Sequence, residues 1–181
     1  TLFRSIDADR IGHQLLDDPE VRRELQDRWG DAILDDDGRI DRRELGRRVF
    51  ADRQELDDLN EILHPRIRRE AEKRLDAARR REDVPAVVVD AALLLEAGWE
   101  DVCTHRVFVE SSPEDRRRRV RQRRGWEADE WARRENSQKA LDIKRRMCDY
   151  TVDNSSSLPH LVDQIRRLFN RIVSASGTSW S

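Results

Sequence analysis

The first residues able to do chemistry are two acids at the end of a short apolar stretch. Ser5-Ile6-Asp7-Ala8-Asp9 reads as the close of a buried strand, and strand alternation would set Asp7 and Asp9 on one side. A second acidic pair, Asp90 and Glu96, flanks Ala91-Ala92-Leu93-Leu94-Leu95. It lies at the carboxyl end of the most apolar strand, where ligands bind in open α/β sheets. Asp90 there suits a metal ion or a hydroxyl, and equally the N-cap of a following helix. The run Arg116 to Arg124 is rich in arginine, a side chain that pairs bidentately with phosphate oxygens. On a helix such residues point in every direction, so only a few can converge on one ligand and the rest form a solvated face. His64-Pro65 is open to two readings, a substrate contact or the cap of the next helix. Asp35-Asp36-Asp37-Gly38 through Glu44 has acids at calcium-loop spacing, but Ile33 would occupy the first ligand position. A turn at Asp37-Gly38 before an Asp-capped helix accounts for the same residues.

Composition narrows what these groups can serve. With 181 residues, and about 100–200 residues per domain, one domain with helical insertions is expected. Charged residues are 41% of the chain, against about 25% in an average globular protein. Lys and Arg number 36 and Asp and Glu 38, a net charge of -2, which excludes a general polycation for nucleic-acid phosphates. The arginine run also lacks interleaved aromatics for base stacking. Cys103 and Cys148 form no CxxC pair, so neither a disulfide framework nor a zinc site is suggested, and a reducing cytoplasm is expected. The apolar stretches Val84 to Val89 and Ala91 to Leu95 are far shorter than the roughly 20 residues of a membrane span. Thr1-Leu2-Phe3-Arg4 carries neither a signal sequence nor an initiator methionine, and reads as a cut edge.

The elements that must position these residues follow from periodicity and caps. Asp18, Pro19, the Val21/Leu25/Trp29 stripe and Gly30 predict one helix, and Asp41 to Phe50 another. Leu56, Leu59, Ile62 and Leu63 continue the helical pattern until His64-Pro65 is expected to break it, with a further helix through Ile67, Ala71 and Leu75. Val84 to Asp90 is apolar on both faces, as in a central parallel strand. Arg106 to Glu110 reads as the next strand. Ser112-Pro113 opens a helix to Gly125, and Glu127 to Gln138 a second one beside it. Tyr150 to Asn154 reads as a last strand. Leu161, Ile165, Leu168 and Ile172 mark the inner face of a closing helix, and Ser174 to Ser181 a polar tail. Strands separated by helices imply an α/β fold with a parallel sheet.

Taken in order, these segments resemble the dephospho-coenzyme A kinase family from about Ser5 to Phe169. The resemblance rests on Ile6-Asp7-Ala8-Asp9, Asp37-Gly38-Arg39-Ile40-Asp41-Arg42 through Val49-Phe50, Leu63-His64-Pro65, and Val88-Val89-Asp90 with Leu93-Leu94-Leu95-Glu96. It continues through Ser112-Pro113-Glu114, Arg123 with Gly125, Arg134 to Gln138, Lys144-Arg145, and Asp149-Tyr150 with Asp153-Asn154. It implies an α/β fold with a parallel-sheet P-loop kinase core, a helical acceptor-binding insertion and a helical lid. The implied core is residues 1–10, 84–112 and 148–173. The acceptor domain would be 11–83, the lid 113–147 and the tail 174–181.

The resemblance further implies transfer of the γ-phosphoryl group of ATP, with Mg2+, to the ribose 3′-hydroxyl of dephospho-coenzyme A. Such a reaction depends on positioning and charge neutralisation more than on covalent chemistry. Asp9 would orient or deprotonate the hydroxyl and Asp7 would support it or a metal-bound water. Arg123 would act on the transferred phosphate. Arg42, His64, Glu96, Arg119, Arg134 and Arg145 would hold substrate, and Asn154 would lie near the adenine; no protein metal-ligand set is assigned. A cytoplasmic monomer or weak homo-oligomer, without nucleic acid or membrane, is expected. Two departures stand out: Ala92 where the family usually has proline, and no GxxxxGK[ST] phosphate loop in the sequence. The expectation is therefore a chain that binds ATP poorly and catalyses little, either shortened or a degenerate relative. The alternative function is an inactive acceptor-binding or regulatory relative. A sheet lacking that loop's strand is also expected to expose apolar edges and invite self-association.

Overall fold

The structure, a computed structural model, describes residues 4–81 and 84–175. Its contacts divide the described chain into two compact units, residues 4–97 and 98–175. In the first unit, β1 (Arg4–Asp7) leads directly into α1 (Ala8–Leu15), followed by α2 (Pro19–Trp29), α3 (Arg42–Val49), α4 (Arg53–Arg79) and β2 (Val87–Asp90). β1 and β2 pair in parallel, with Asp7 opposite Asp90. The helices between them are therefore an insertion within one strand crossover.

The expected strand through Asp9 ends two residues early. Asp7 Oδ1 accepts the Arg10 N–H at 2.8 Å, an N-cap that starts α1 at Ala8. Asp9 thus stands in the first turn of a helix, and the shared strand face predicted for Asp7 and Asp9 does not form. Asp18 and Asp41 cap α2 and α3 as their sequence signals indicate, and Gly30, at φ 71°, ends α2 in a conformation open to glycine.

Pro65 does not break the helical run: α4 continues for 27 residues with Pro65 inside it. Proline removes one backbone donor, but its ring is exposed, and the turn is reinforced by Arg66, whose Nη1 donates to Ile62 O at 2.7 Å and Nη2 to Glu24 at 2.6 Å. The apolar stripe on both sides of the proline supplies the larger reason. Leu56, Leu59, Ile62 and Leu63 pack against a core of Leu16, Val21, Leu25, Trp29, Ile33, Ile40, Leu45 and Val49. Ala71 and Leu75 are buried on the later turns. The Asp35 to Arg39 segment is a turn, with Asp35 Oδ1 accepting the N–H groups of Asp37 and Arg39 at 3.0 and 2.8 Å. It holds no calcium-type cluster, and no group of three or more His, Cys, Asp or Glu is poised for a metal among the described residues.

In the second unit, β3 (Val107–Glu110) is followed by α5 (Pro113–Arg124), α6 (Ala128–Asn136), α7 (Leu141–Arg146), β4 (Tyr150–Asp153) and α8 (Leu158–Ala175). β3 and β4 pair in parallel, Val107 opposite Tyr150 through Glu110 opposite Asp153. α7 carries no sequence expectation, because its six residues are too few to show a period. α8 extends through Ser174 and Ala175, so the predicted polar tail is helical at its start; the remainder lies outside the described residues. Two burial expectations also fail. Val88 of the strand expected to be covered on both faces is 43% exposed, and Ile165, expected on the inner face of α8, is 48% exposed. Among the described strands β2 pairs with β1 alone, so its other edge and the side chains beside it are left accessible.

β4 has a side-chain substitute for a neighbouring strand. Gln164 of α8 accepts the Asp153 N–H through Oε1 and donates to the Asp153 carbonyl through Nε2, both at 3.0 Å. Gln164→Leu keeps the packing volume and removes both bonds. It is expected to lower stability by about 1–2 kcal/mol, the scale of two lost part-buried hydrogen bonds. Urea denaturation checks this, and an unchanged midpoint would show the pairing to be inert.

Candidate active site

In the first unit the acids gather at the carboxyl ends of the strand pair. Register places Asp7 beside Asp90, and both are exposed, as is Asp9. Asp9 sits within the first turn of α1. Arg42, in the first turn of α3, donates from Nη2 to His13 O at 3.3 Å and lies 3.7 Å from Asp17. It thereby ties the start of α3 to the end of α1.

His64 lies inside α4, which overturns the capping reading. Burial pushes its imidazole below the ordinary value of 6.5, partly opposed by the charge of Glu96. His64 and Glu96 are separate candidates in the sequence, and the fold makes them electrostatic neighbours. The folded pKa lies below the unfolded one, so native protein binds fewer protons. Stability from this group is full above the unfolded value and is lost as pH falls through the folded value. His64→Gln is expected to flatten the fall in melting temperature between about pH 7 and pH 5 relative to the unchanged chain. Identical slopes in the two proteins would contradict the assignment.

In the second unit, Ser112 caps α5 and Gly125, at φ 66°, ends it in the left-handed region. The arginine helix is largely committed to internal contacts. Arg116 donates to Glu135 Oε1 at 2.6 and 3.1 Å, joining α5 to α6. Arg118 pairs with Asp115. Arg119 donates from Nη2 to the Asn154 carbonyl at 2.7 Å and from Nη1 to Ser111 Oγ at 3.4 Å. The Asn154 N–H in turn donates to Glu110 O at 2.7 Å. Arg119 and Asn154, two separate sequence candidates, are thus one bonded unit. Arg123 is exposed on the same helix.

Arg145 of α7 meets Glu110 at 3.1 Å. A cavity of about 200 Å3 opens there, with Glu110, Ser111, Arg116 and Arg145 among its lining residues. Arg134 of α6 pairs with Glu130 at 3.1 Å. Arg116 was not singled out from its neighbours by sequence reasoning, because only the fold shows which arginine reaches Ser111 and α6. Lys144, 7% exposed and donating to Gln138 at 2.9 Å, was also missed as a structural group.

An acid-bearing strand crossover filled by helices and an arginine helix after a second strand occur here in the order the motifs predict. The family model for dephospho-CoA kinase matches residues 2–160. This chain belongs to the dephospho-CoA kinase family. The dephospho-CoA kinase of Corynebacterium diphtheriae is 34% identical over 169 residues, covering 93% of this chain and 84% of that protein. That of Lactobacillus johnsonii is 31% identical over 168 residues, covering 92% and 84%. A crystal structure of a Thermus thermophilus protein matches with a TM-score of 0.75 at 30% identity, over 93% of this chain and 84% of that one. The dephospho-CoA kinase from Campylobacter jejuni shares the fold with a TM-score of 0.67 at 24% identity, over 96% and 87%. The parallel α/β kinase fold and the phosphotransferase class expected from the sequence are therefore established for this family member.

Proposed function

We propose that the chain transfers the γ-phosphoryl group of ATP to the ribose 3′-hydroxyl of dephospho-coenzyme A. The observation that carries this reading is the family match over residues 2–160 together with carboxylates at the carboxyl ends of β1 and β2. Asp9 orients or deprotonates the acceptor hydroxyl, a role that requires hydrogen-bond reach in the bound complex. His64, Glu96 and Arg42 hold the acceptor. Arg119, Arg123, Arg134 and Arg145 take phosphate oxygens, where planar guanidinium forks suit the charge, and Asn154 lies at the adenine.

Two neighbouring carboxylates are hard oxygen donors of the kind that, with substrate phosphates, complete a Mg2+ shell. Asp7 would support Asp9 or a metal-bound water and Asp90 would suit the ion or a hydroxyl; the ion would supply charge neutralisation on the triphosphate when bound. Internal pairing of Arg116 and Arg118, with a net charge of -2, supports a role without nucleic acid. No helix among the described residues is long and apolar enough to cross a membrane. The reading places the protein in the cytoplasm as a monomer or weak homo-oligomer. The test is a single-turnover incubation of excess protein with magnesium-ATP and dephospho-coenzyme A, with nucleotides resolved by chromatography. Coenzyme A formed together with ADP, at the low rate expected of a sequence without a GxxxxGK[ST] loop, is the expected result, and ADP without coenzyme A would refute the acceptor.

A further inference from the structure

Arg134 is held from two directions. Its Nε and Nη2 donate to Glu130 Oε1 at 3.3 and 3.1 Å, and its Cζ lies 4.1 Å from the centroid of the Trp126 ring. Trp126 follows directly on Gly125, whose left-handed conformation closes α5. The turn between α5 and α6 therefore delivers the indole to the guanidinium. Arg124, the last residue of α5, is 5.8 Å from the same ring, and Arg117 is 5.6 Å from Trp131. The Arg134 contact is the shortest of these.

A cation over an aromatic face is attracted by the ring quadrupole, and stacking occupies the face of the guanidinium while its N–H donors lie in the plane. Unlike Glu130, whose carboxylate takes the Nε and Nη2 donors, the indole adds fixation without neutralising the charge or occupying a donor. A long, rotamer-rich side chain fixed in this way loses less entropy when it binds an anion. We propose that Trp126 is a positioning residue that pre-orients Arg134 for a phosphoryl oxygen. The proposal rests on the reading of Arg134 as a phosphate ligand.

Inorganic tripolyphosphate, titrated into the full chain at fixed ionic strength, separates the two ideas. Arg134→Ala is expected to weaken binding about tenfold, the scale of one charge-assisted contact. Trp126→Leu keeps apolar bulk but removes the π face and is expected to weaken it about three- to fivefold, whereas Trp126→Phe stays within about twofold. The Trp126→Leu/Arg134→Ala double variant should bind no more weakly than Arg134→Ala, because the indole acts only through Arg134. The emission contributed by Trp126, taken as the difference from Trp126→Phe, should change on tripolyphosphate addition and lose that change in Arg134→Ala. Should Trp126→Leu fail to fold, this emission comparison decides the matter without it.

An additive double variant, normal affinity in a folded Trp126→Leu beside a weakened Arg134→Ala, or a Trp126 emission change that persists in Arg134→Ala would each overturn the positioning role and leave the reading of Arg134 intact. Normal affinity in Arg134→Ala would overturn that reading and the proposal with it.

Discussion

Asp9→Asn is expected to slow phosphoryl transfer to dephospho-coenzyme A by about 10²–10⁴-fold, the contribution typical of a positioned acid–base group. Asparagine keeps the size of the side chain and its place in the first turn of α1, while removing the charge and the capacity to accept the proton. Affinity for the acceptor should change by less than about threefold, since one exposed hydrogen-bonding group is replaced by another. The measurement is a single-turnover rate with protein in excess, beside calorimetric titration of each protein. A rate within a few-fold of the unchanged chain would remove Asp9 from the chemistry. A parallel collapse of rate and binding would make it a substrate anchor instead.

The second large effect belongs to the helical insertion. Leu25 is 0% exposed within the core formed by α2, α3 and α4, so Leu25→Ala deletes packed methyl groups and leaves a cavity. The expected loss is about 3–5 kcal/mol, a large share of the roughly 5–15 kcal/mol by which a domain is stable. Leu158→Ala is the matched control, because Leu158 is 72% exposed, and its midpoint in urea should barely move. The same core carries α3 and α4, which present Arg42 and His64. Acceptor binding should therefore fall together with unfolding in Leu25→Ala. Equal midpoints for the two variants would show that this cluster is not the keystone of the unit.

What could be read in the sequence was local. Asp18-Pro19 with Gly30, Asp41, and Ser112-Pro113 with Gly125 each bring their capping group within a few residues of the helix end they define, so boundaries there follow from short-range hydrogen bonds. Pro65 was misleading because its local penalty is outweighed by packing on both sides of it. Asp9 departs from its expected strand place because the Asp7 carboxylate, accepting the Arg10 N–H, competes with strand continuation, and both outcomes suit the same residues.

The site was legible as a set of residue types and illegible as an arrangement. The pairing of Asp7 with Asp90 spans the whole insertion, the bond from Arg119 to Asn154 crosses 35 residues, and the influence of Glu96 on His64 exists only once α4 is folded. No periodicity encodes such long-range neighbours. The family resemblance supplied the roles, while register and packing supplied the partners.

The most direct test of the account is calorimetric titration of the chain with dephospho-coenzyme A. The account predicts saturable binding with one acceptor per chain, retained in Asp9→Asn and weakened in Arg42→Ala. Absence of binding by protein that melts cooperatively would contradict it.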